Sequence, residues 1–291
     1  MTHCVTVGMN GSPESDAAVR WAAREAELRG GACVDLVHVE EWLEHPPRHV
    51  STTEERRAWA ESILLDAAEE VRRTRPSLEV RTRRVRGFPS LALVDASGES
   101  DMLVIGSRGL GGAAGFFLGS TAAATISEAR VPVILVRAQG QEAESPHHAA
   151  QGPVVVGVDI RQPCEPLLAF AAAEAAYRGC ALLVVHTLSL PPILGYAPSL
   201  HPDLVQEMLT EATDALERET RAWRDTYPSV TIDARALLGH PALQVPRLAA
   251  DAALVVVGRR VRDDKGGMHI GPVTHAVLHH VKSPVAVIAH Q

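Results

Sequence analysis

The chain is written twice. Residues 5–31, VTVGMNGSPESDAAVRWAAREAELRGG, run parallel to residues 154–180, VVVGVDIRQPCEPLLAFAAAEAAYRGC. Gly8 coincides with Gly157, Glu25 with Glu174, Arg29 with Arg178 and Gly30 with Gly179. Further on, VRGFPSLALV pairs with LLGHPALQVP, DMLVIGSRG with ALVVVGRRV, and VPVILVR with SPVAVIA, the register drifting by a few residues. A repeat on this scale means two copies of one domain of about 140 residues. Their limits are set at residues 1–138 and 153–291. Between them AQGQEAESPHHAAQG (138–152) has no periodicity and reads as a linker. Its neighbouring His147 and His148 lack a third ligand at helical or strand spacing, so they are surface histidines and not a metal site.

Within each copy, strand-like and helix-like segments alternate. In the first, CVTVG is a short buried strand, followed by Ser12 as an N-cap and Pro13 at the first helical position. Gly30 and Gly31 end that helix, and CVDLVHV is the second strand. The spacing predicts a long amphipathic helix over 53–74, with Trp59, Ile63 and Val71 on or near one stripe. LEVRTRRV, a short helix over 89–97, DMLVIG, a helix over 120–129 and PVILVR complete the copy. Apolar strands in a β-α-β-α order predict an α/β fold with a parallel sheet covered by helices on both faces.

The net charge of −7 excludes nucleic acid as an obligate partner, because neutralising phosphates needs a basic face. The basic run RTRRVRG (81–87) is a solvated strand edge on this reading. Cysteines 4, 33, 164 and 180 form no CxxC pair and suit neither a zinc site nor a disulfide framework. No segment reaches the roughly 18 apolar residues of a membrane span, and the first residues lack signal-peptide character. Together these place the chain in the cytoplasm, with no membrane partner.

GSRGLGGAAGFFLGST (106–121) leaves the fourth strand and runs into the last helix of the first copy. In open α/β sheets ligands bind beyond the carboxyl ends of the strands, and a helix N-terminus there offers free N–H groups and a positive dipole end. Gly106, Gly109 and Gly119 let main chain approach an anion and take positive φ cheaply, and the hydroxyls of Ser120 and Thr121 can donate to phosphate. Arg108 can neutralise phosphate charge, although a solvated loop arginine fits the position equally well. Turn-making glycines with Ser120 as an ordinary N-cap account for the same letters, so the residues alone leave both readings open. Two other matches fail on context. GLGGAA fits a dinucleotide fingerprint but follows the fourth strand, and HIGP (269–272) lacks the last histidine of the synthetase motif.

The spacing Gly106-x-x-Gly109, nine residues, then Gly119-Ser120 resembles the G-2x-G-9x-G-(S/T) signature of ATP-binding universal stress proteins. VGMNGSPES, VRGFPS, LVIGSRG and VPVILVR are similar to family segments, and the likeness spans both halves. The resemblance implies two tandem doubly wound domains, each a five-stranded parallel sheet of order 3-2-1-4-5. It implies ATP as ligand, with Mg2+ where the polyphosphate carries it, though no carboxylate pair or acidic cluster marks a metal site. Carried across residue by residue, Asn10 and Val39 face the nucleoside, and Gly106, Arg108, Gly109, Gly119, Ser120 and Thr121 face the phosphates. It further implies intramolecular pairing of the two domains through their last strands, with a homodimer also open.

Both halves depart from the family pattern. Asn10 stands where the family has Asp, and an amide oxygen accepts a weaker hydrogen bond than a carboxylate. The second half keeps that residue as Asp159 but follows it with IRQPC. Its loop keeps Gly258 and Gly271 and replaces the second glycine by Val261 and the Ser/Thr by Pro272. Valine strongly disfavours positive φ, and proline has no N–H for an anion. The expected function is a nucleotide-dependent regulator or sensor in stress response, with an intact first site and a degraded second one. A slow ATPase or adenylyl-transferring enzyme, and a protein-interaction module without nucleotide, are the competing readings.

Overall fold

The computed structural model describes residues 4–31, 33–41, 52–107, 118–138, 152–189, 202–261 and 270–291. They fall into two compact units, Met1–Ala143 and Glu144–Gln291. The first contains β1 (Cys4–Met9), α1 (Pro13–Leu28), β2 (Cys33–Glu41), α2 (Thr53–Thr74), β3 (Glu79–Gly87), α3 (Pro89–Ala96), β4 (Met102–Ser107), α4 (Ser120–Glu128) and β5 (Val133–Arg137). The second contains β6 (Val154–Val158), α5 (Glu165–Arg178), β7 (Leu182–Leu188), α6 (Pro202–Thr226), β8 (Ile232–Leu238), α7 (Pro241–Leu248), β9 (Leu254–Arg260), α8 (Pro272–His280) and β10 (Val285–His290).

Within each unit every strand pairing is parallel, in the order β3-β2-β1-β4-β5 and β8-β7-β6-β9-β10. This is the expected 3-2-1-4-5 arrangement. Parallel strands need crossover helices, which cover both faces, so the central strands are buried on both sides: Val5, Val7, Leu36, Leu103 and Val104 are fully inaccessible. Strand order reverses between β1 and β4, and between β6 and β9. A crevice therefore opens beyond the carboxyl ends of those strands.

Local signals explain the element ends. Ser12 accepts from the Ser15 N–H at 3.2 Å, with Pro13 at the first helical position of α1, and Gly30 and Gly31 take φ of 86° and 93° after it. The repeated Glu and Arg of the two copies are a buried ion pair one turn apart on α1 and again on α5. Arg29 Nε lies 3.0 Å from Glu25, and Arg178 holds Glu174, with both carboxylates essentially inaccessible. A carboxylate so placed requires a partner charge.

Helix α2 spans the expected residues, with Thr52 and Glu55 forming a capping box at its start. Its inner stripe is Ala60, Leu64, Ala68 and Val71. Trp59 is not on that stripe. It is half exposed and meets the His38 ring edge-on, with centroids 5.5 Å apart. The indole packs on the end of β2 and leaves the helix–sheet core to smaller residues. The basic run forms β3, at the end of its sheet, where each arginine has an acidic partner: Arg81 pairs with Glu79, Arg83 with Asp35, and Arg84 and Arg86 with Glu40. Arg86 and Arg84 hold the Glu40 carboxyl below its ordinary range. Among the described residues no helix is long and apolar enough to cross a membrane.

Candidate functional site

Asn10, Val39 and Gly106 come together at the carboxyl ends of three adjacent strands, β1, β2 and β4. Asn10 follows β1 and is exposed, and its Oδ1 accepts from the Ser12 N–H at 3.1 Å, which closes the turn into α1. Gly11 in that turn has φ of 71°, and a Cβ there would lie 2.8 Å from the Trp59 ring. Val39 is half-buried near the end of β2. Beside it, His38 Nδ1 lies 2.9 Å from the Met9 carbonyl oxygen. A carbonyl only accepts, so Nδ1 carries the proton there, and a neutral ring presents Nε2 as acceptor.

Gly106 is required by packing. A Cβ on it would stand 2.4 Å from the carbonyl carbon and 2.5 Å from the oxygen of Glu14, in the first turn of α1. The approach that glycine permits here is of α1 to β4. Next to it, Ser107 Oγ accepts from Arg137 Nη1 at 3.1 Å, and burial lowers that guanidinium to about 10.

Gly119 differs. It is the N-cap of α4 with φ of −62°, so positive φ is not its reason, and among the described residues a Cβ there would meet nothing within 4 Å. Ser120 is thus the first helical residue and not the cap. Ser120 and Thr121 are exposed in the first turn, and among the described residues no side chain caps the helix. The first N–H groups of a helix have no partner within it, so this end offers donors to whatever lies outside. Arg108 and Gly109 lie outside the described residues.

The second half repeats the frame with different groups. Gly8 faces Val37 and Gly157 faces Val185, so His186 occupies the place of His38, and Thr187 that of Val39. His186 Nδ1 again bonds the neighbouring strand, 3.1 Å from the Val158 oxygen. Asp159 is already engaged: Arg161 Nε and Nη2 reach its two oxygens at 2.9 Å each, and the Arg161 N–H and Gln162 amide approach at 3.2 and 3.4 Å. Arg161 holds the Asp159 carboxyl below its ordinary range. The carboxylate is therefore charged and satisfied within the chain.

Gly258 faces the His290 ring, whose Nε2 would lie 2.6 Å from a Cβ, and α5 reaches that point only through the Leu167 side chain at 3.1 Å, so the backbone approach seen at Gly106 is not reproduced. Gly271 caps α8, and Pro272 removes the first N–H of that helix. A cleft of about 590 Å³ lies over these strand ends, lined by Asp159, Thr187, Val245, Gly258 and Pro272 among others. Burial, and then the Glu219 carboxylate, raise the Cys164 thiol in it to about 11, so this sulfur is no ready nucleophile.

Four residues at these strand ends escaped the reading of the letters: His38, His186, Arg161 and Thr187. The histidines were signalled by their recurrence in LVHV and VVHT, and Arg161 by its place two residues after Asp159. Thr187 had no signal, since its meaning comes from burial.

The universal stress protein family profile matches residues 1–137 and again 152–289. A universal stress protein of Mycobacterium tuberculosis is 34% identical over 294 residues, covering 98% of this chain and 96% of that protein. One from Mycolicibacterium smegmatis is 32% identical over 295 residues, covering 98% and 96%. Among solved structures, a universal stress protein from Archaeoglobus fulgidus superposes with a TM-score of 0.72 at 15% identity, covering 99% of this chain and 98% of that one.

Proposed function

This chain belongs to the universal stress protein family, and we propose that it is a nucleotide-dependent regulator or sensor that binds ATP in its first half and does not turn it over. The observation that carries the proposal is the entry to α4. Among the described residues Gly119 is demanded neither by φ nor by a neighbour, and the first turn, which no described side chain caps, carries two exposed hydroxyls beside it. A glycine that no described residue requires, at a strand-end crevice, suits the close approach of a phosphate. Asn10 and Val39, at the neighbouring strand ends, then flank the nucleoside.

Among the described residues no group of three His, Cys, Asp or Glu side chains could hold a metal. In this reading Mg2+ comes with the polyphosphate. Titration of nucleotide-free protein with ATP, with and without Mg2+, tests the reading. Binding without release of ADP is expected. Mg2+-dependent ADP release would make the chain an ATPase, and no binding at all would leave it an interaction module.

The proposal includes pairing of the two units through their last strands. VPVILVR and SPVAVIAH are apolar along their length, and a sheet edge of that composition calls for a partner. Separately expressed halves are expected to associate with each other or with themselves. Halves that stay stable, soluble monomers would contradict the pairing.

A further inference from the structure

The two copies differ on the outer face of their last helices. α4 and α8 are each 9 residues long and each follow a glycine cap, Gly119 and Gly271. Counted from those caps, His275 and His279 of α8 stand where α4 has Ala123 and Ser127. The histidine pair is therefore no part of the duplicated frame. Residues four apart on a helix lie one turn apart on one face, so their side chains are neighbours. Here the two rings meet, with centroids 4.3 Å apart and planes inclined by 33°. Thr274, Val277 and Leu278 take the buried side of the helix, which leaves His275 exposed and His279 half-buried.

Imidazole suits divalent transition metals, and two histidines at this spacing on one helix face can hold a single ion. With metal–nitrogen bonds of about 2 Å, two imidazoles on one ion have centroids about 4.5–5 Å apart. The observed pair needs only a small ring rotation to reach that geometry. His279 lies in the last turn of α8, where the negative end of the helix dipole favours a cation. Among the described residues no third His, Cys, Asp or Glu completes the group. The ion would keep solvent in its remaining positions and exchange readily. Nitrogen ligands also select against Mg2+ and Ca2+, which take oxygen.

We infer that His275 and His279 form a bidentate site for a divalent transition-metal ion of the Ni2+, Cu2+ and Zn2+ class. The site stands apart from the nucleotide reading, since neither histidine belongs to it.

Ni2+ is the probe, titrated into the full chain without nucleotide. The chain has 14 histidines, so the readout is local: the ring Cε1–H resonances of His275 and His279 should broaden together, before those of any other histidine. A large excess of Mg2+ should not displace the ion. His275→Gln, at an exposed position, should weaken this first site at least about tenfold, because a single imidazole cannot chelate. Adding His279→Gln should change little further, within about threefold, since either loss ends chelation. His280→Gln, next to the pair, should leave affinity within about twofold. Saturating Ni2+ should raise the melting temperature by about 3–5 °C in the unmodified chain and not in His275→Gln. Earlier broadening at other histidines, or an affinity of His275→Gln within threefold of the unmodified chain, would overturn the inference. Equal losses from His275→Gln and His280→Gln, or losses that add in the double variant, would overturn it as well, because they describe separate imidazoles and not a chelating pair.

Discussion

Gly109→Val should weaken ATP binding at least about 100-fold while leaving the fold intact. The change copies into the first half the residue that the second half carries at Val261. Valine strongly disfavours positive φ, and its branched Cβ blocks the approach of main-chain donors to an anion. Charge-assisted hydrogen bonds are worth roughly 1.5–3 kcal/mol each, so losing two amounts to at least about 3 kcal/mol, or two orders of magnitude in Kd. Calorimetry on nucleotide-free protein reads the effect, and circular dichroism confirms that the sheet and helices survive. A Kd within threefold of the unmodified chain would mean that this glycine serves a turn alone.

The second large effect is on stability, and it separates two glycines that look alike in the sequence. Gly106→Ala should cost about 2–3 kcal/mol and lower the melting temperature of nucleotide-free protein by about 5–10 °C. The new Cβ would stand 2.4 Å from the Glu14 carbonyl carbon, and backbone in the first turn of a helix cannot move aside alone. Gly258→Ala, at the matching place, should cost about 1 kcal/mol. There the nearest obstacle is the His290 ring at 2.6 Å, the far end of a side chain that can rotate. Thermal melts of the two variants test this. Equal losses would show that the close packing of α1 on β4 is not what Gly106 serves.

Those two glycines show where the letters stop. Duplication and alternation made the fold legible, since apolar strands joined by helices can close only as covered parallel sheets. The α2 span was legible for the same reason, but the place of Trp59 was not. Periodicity finds a helix face, yet it does not say which large residue turns from the core toward the end of the sheet and His38. At the site, spacing identified the strand-end positions and the start of α4. It could not tell a glycine that admits a helix, Gly106, from one that meets no described neighbour, Gly119. Asp159 read as a retained carboxylate, whereas Arg161 satisfies it within the chain. That pairing strengthens the asymmetry between the halves, because the carboxylate that the second half had kept is already answered within the chain.

The asymmetry is the central claim, and the number of ATP molecules bound per chain tests it most directly. Nucleotide-free protein of known concentration, titrated calorimetrically with ATP, should give one site per chain, and Gly109→Val should remove it. Restoring the second loop by Val261→Gly with Pro272→Ser should add at most a weak second site, since Arg161 still holds Asp159. Two equivalent ATP sites per chain, or one tight site that survives Gly109→Val, would contradict the account.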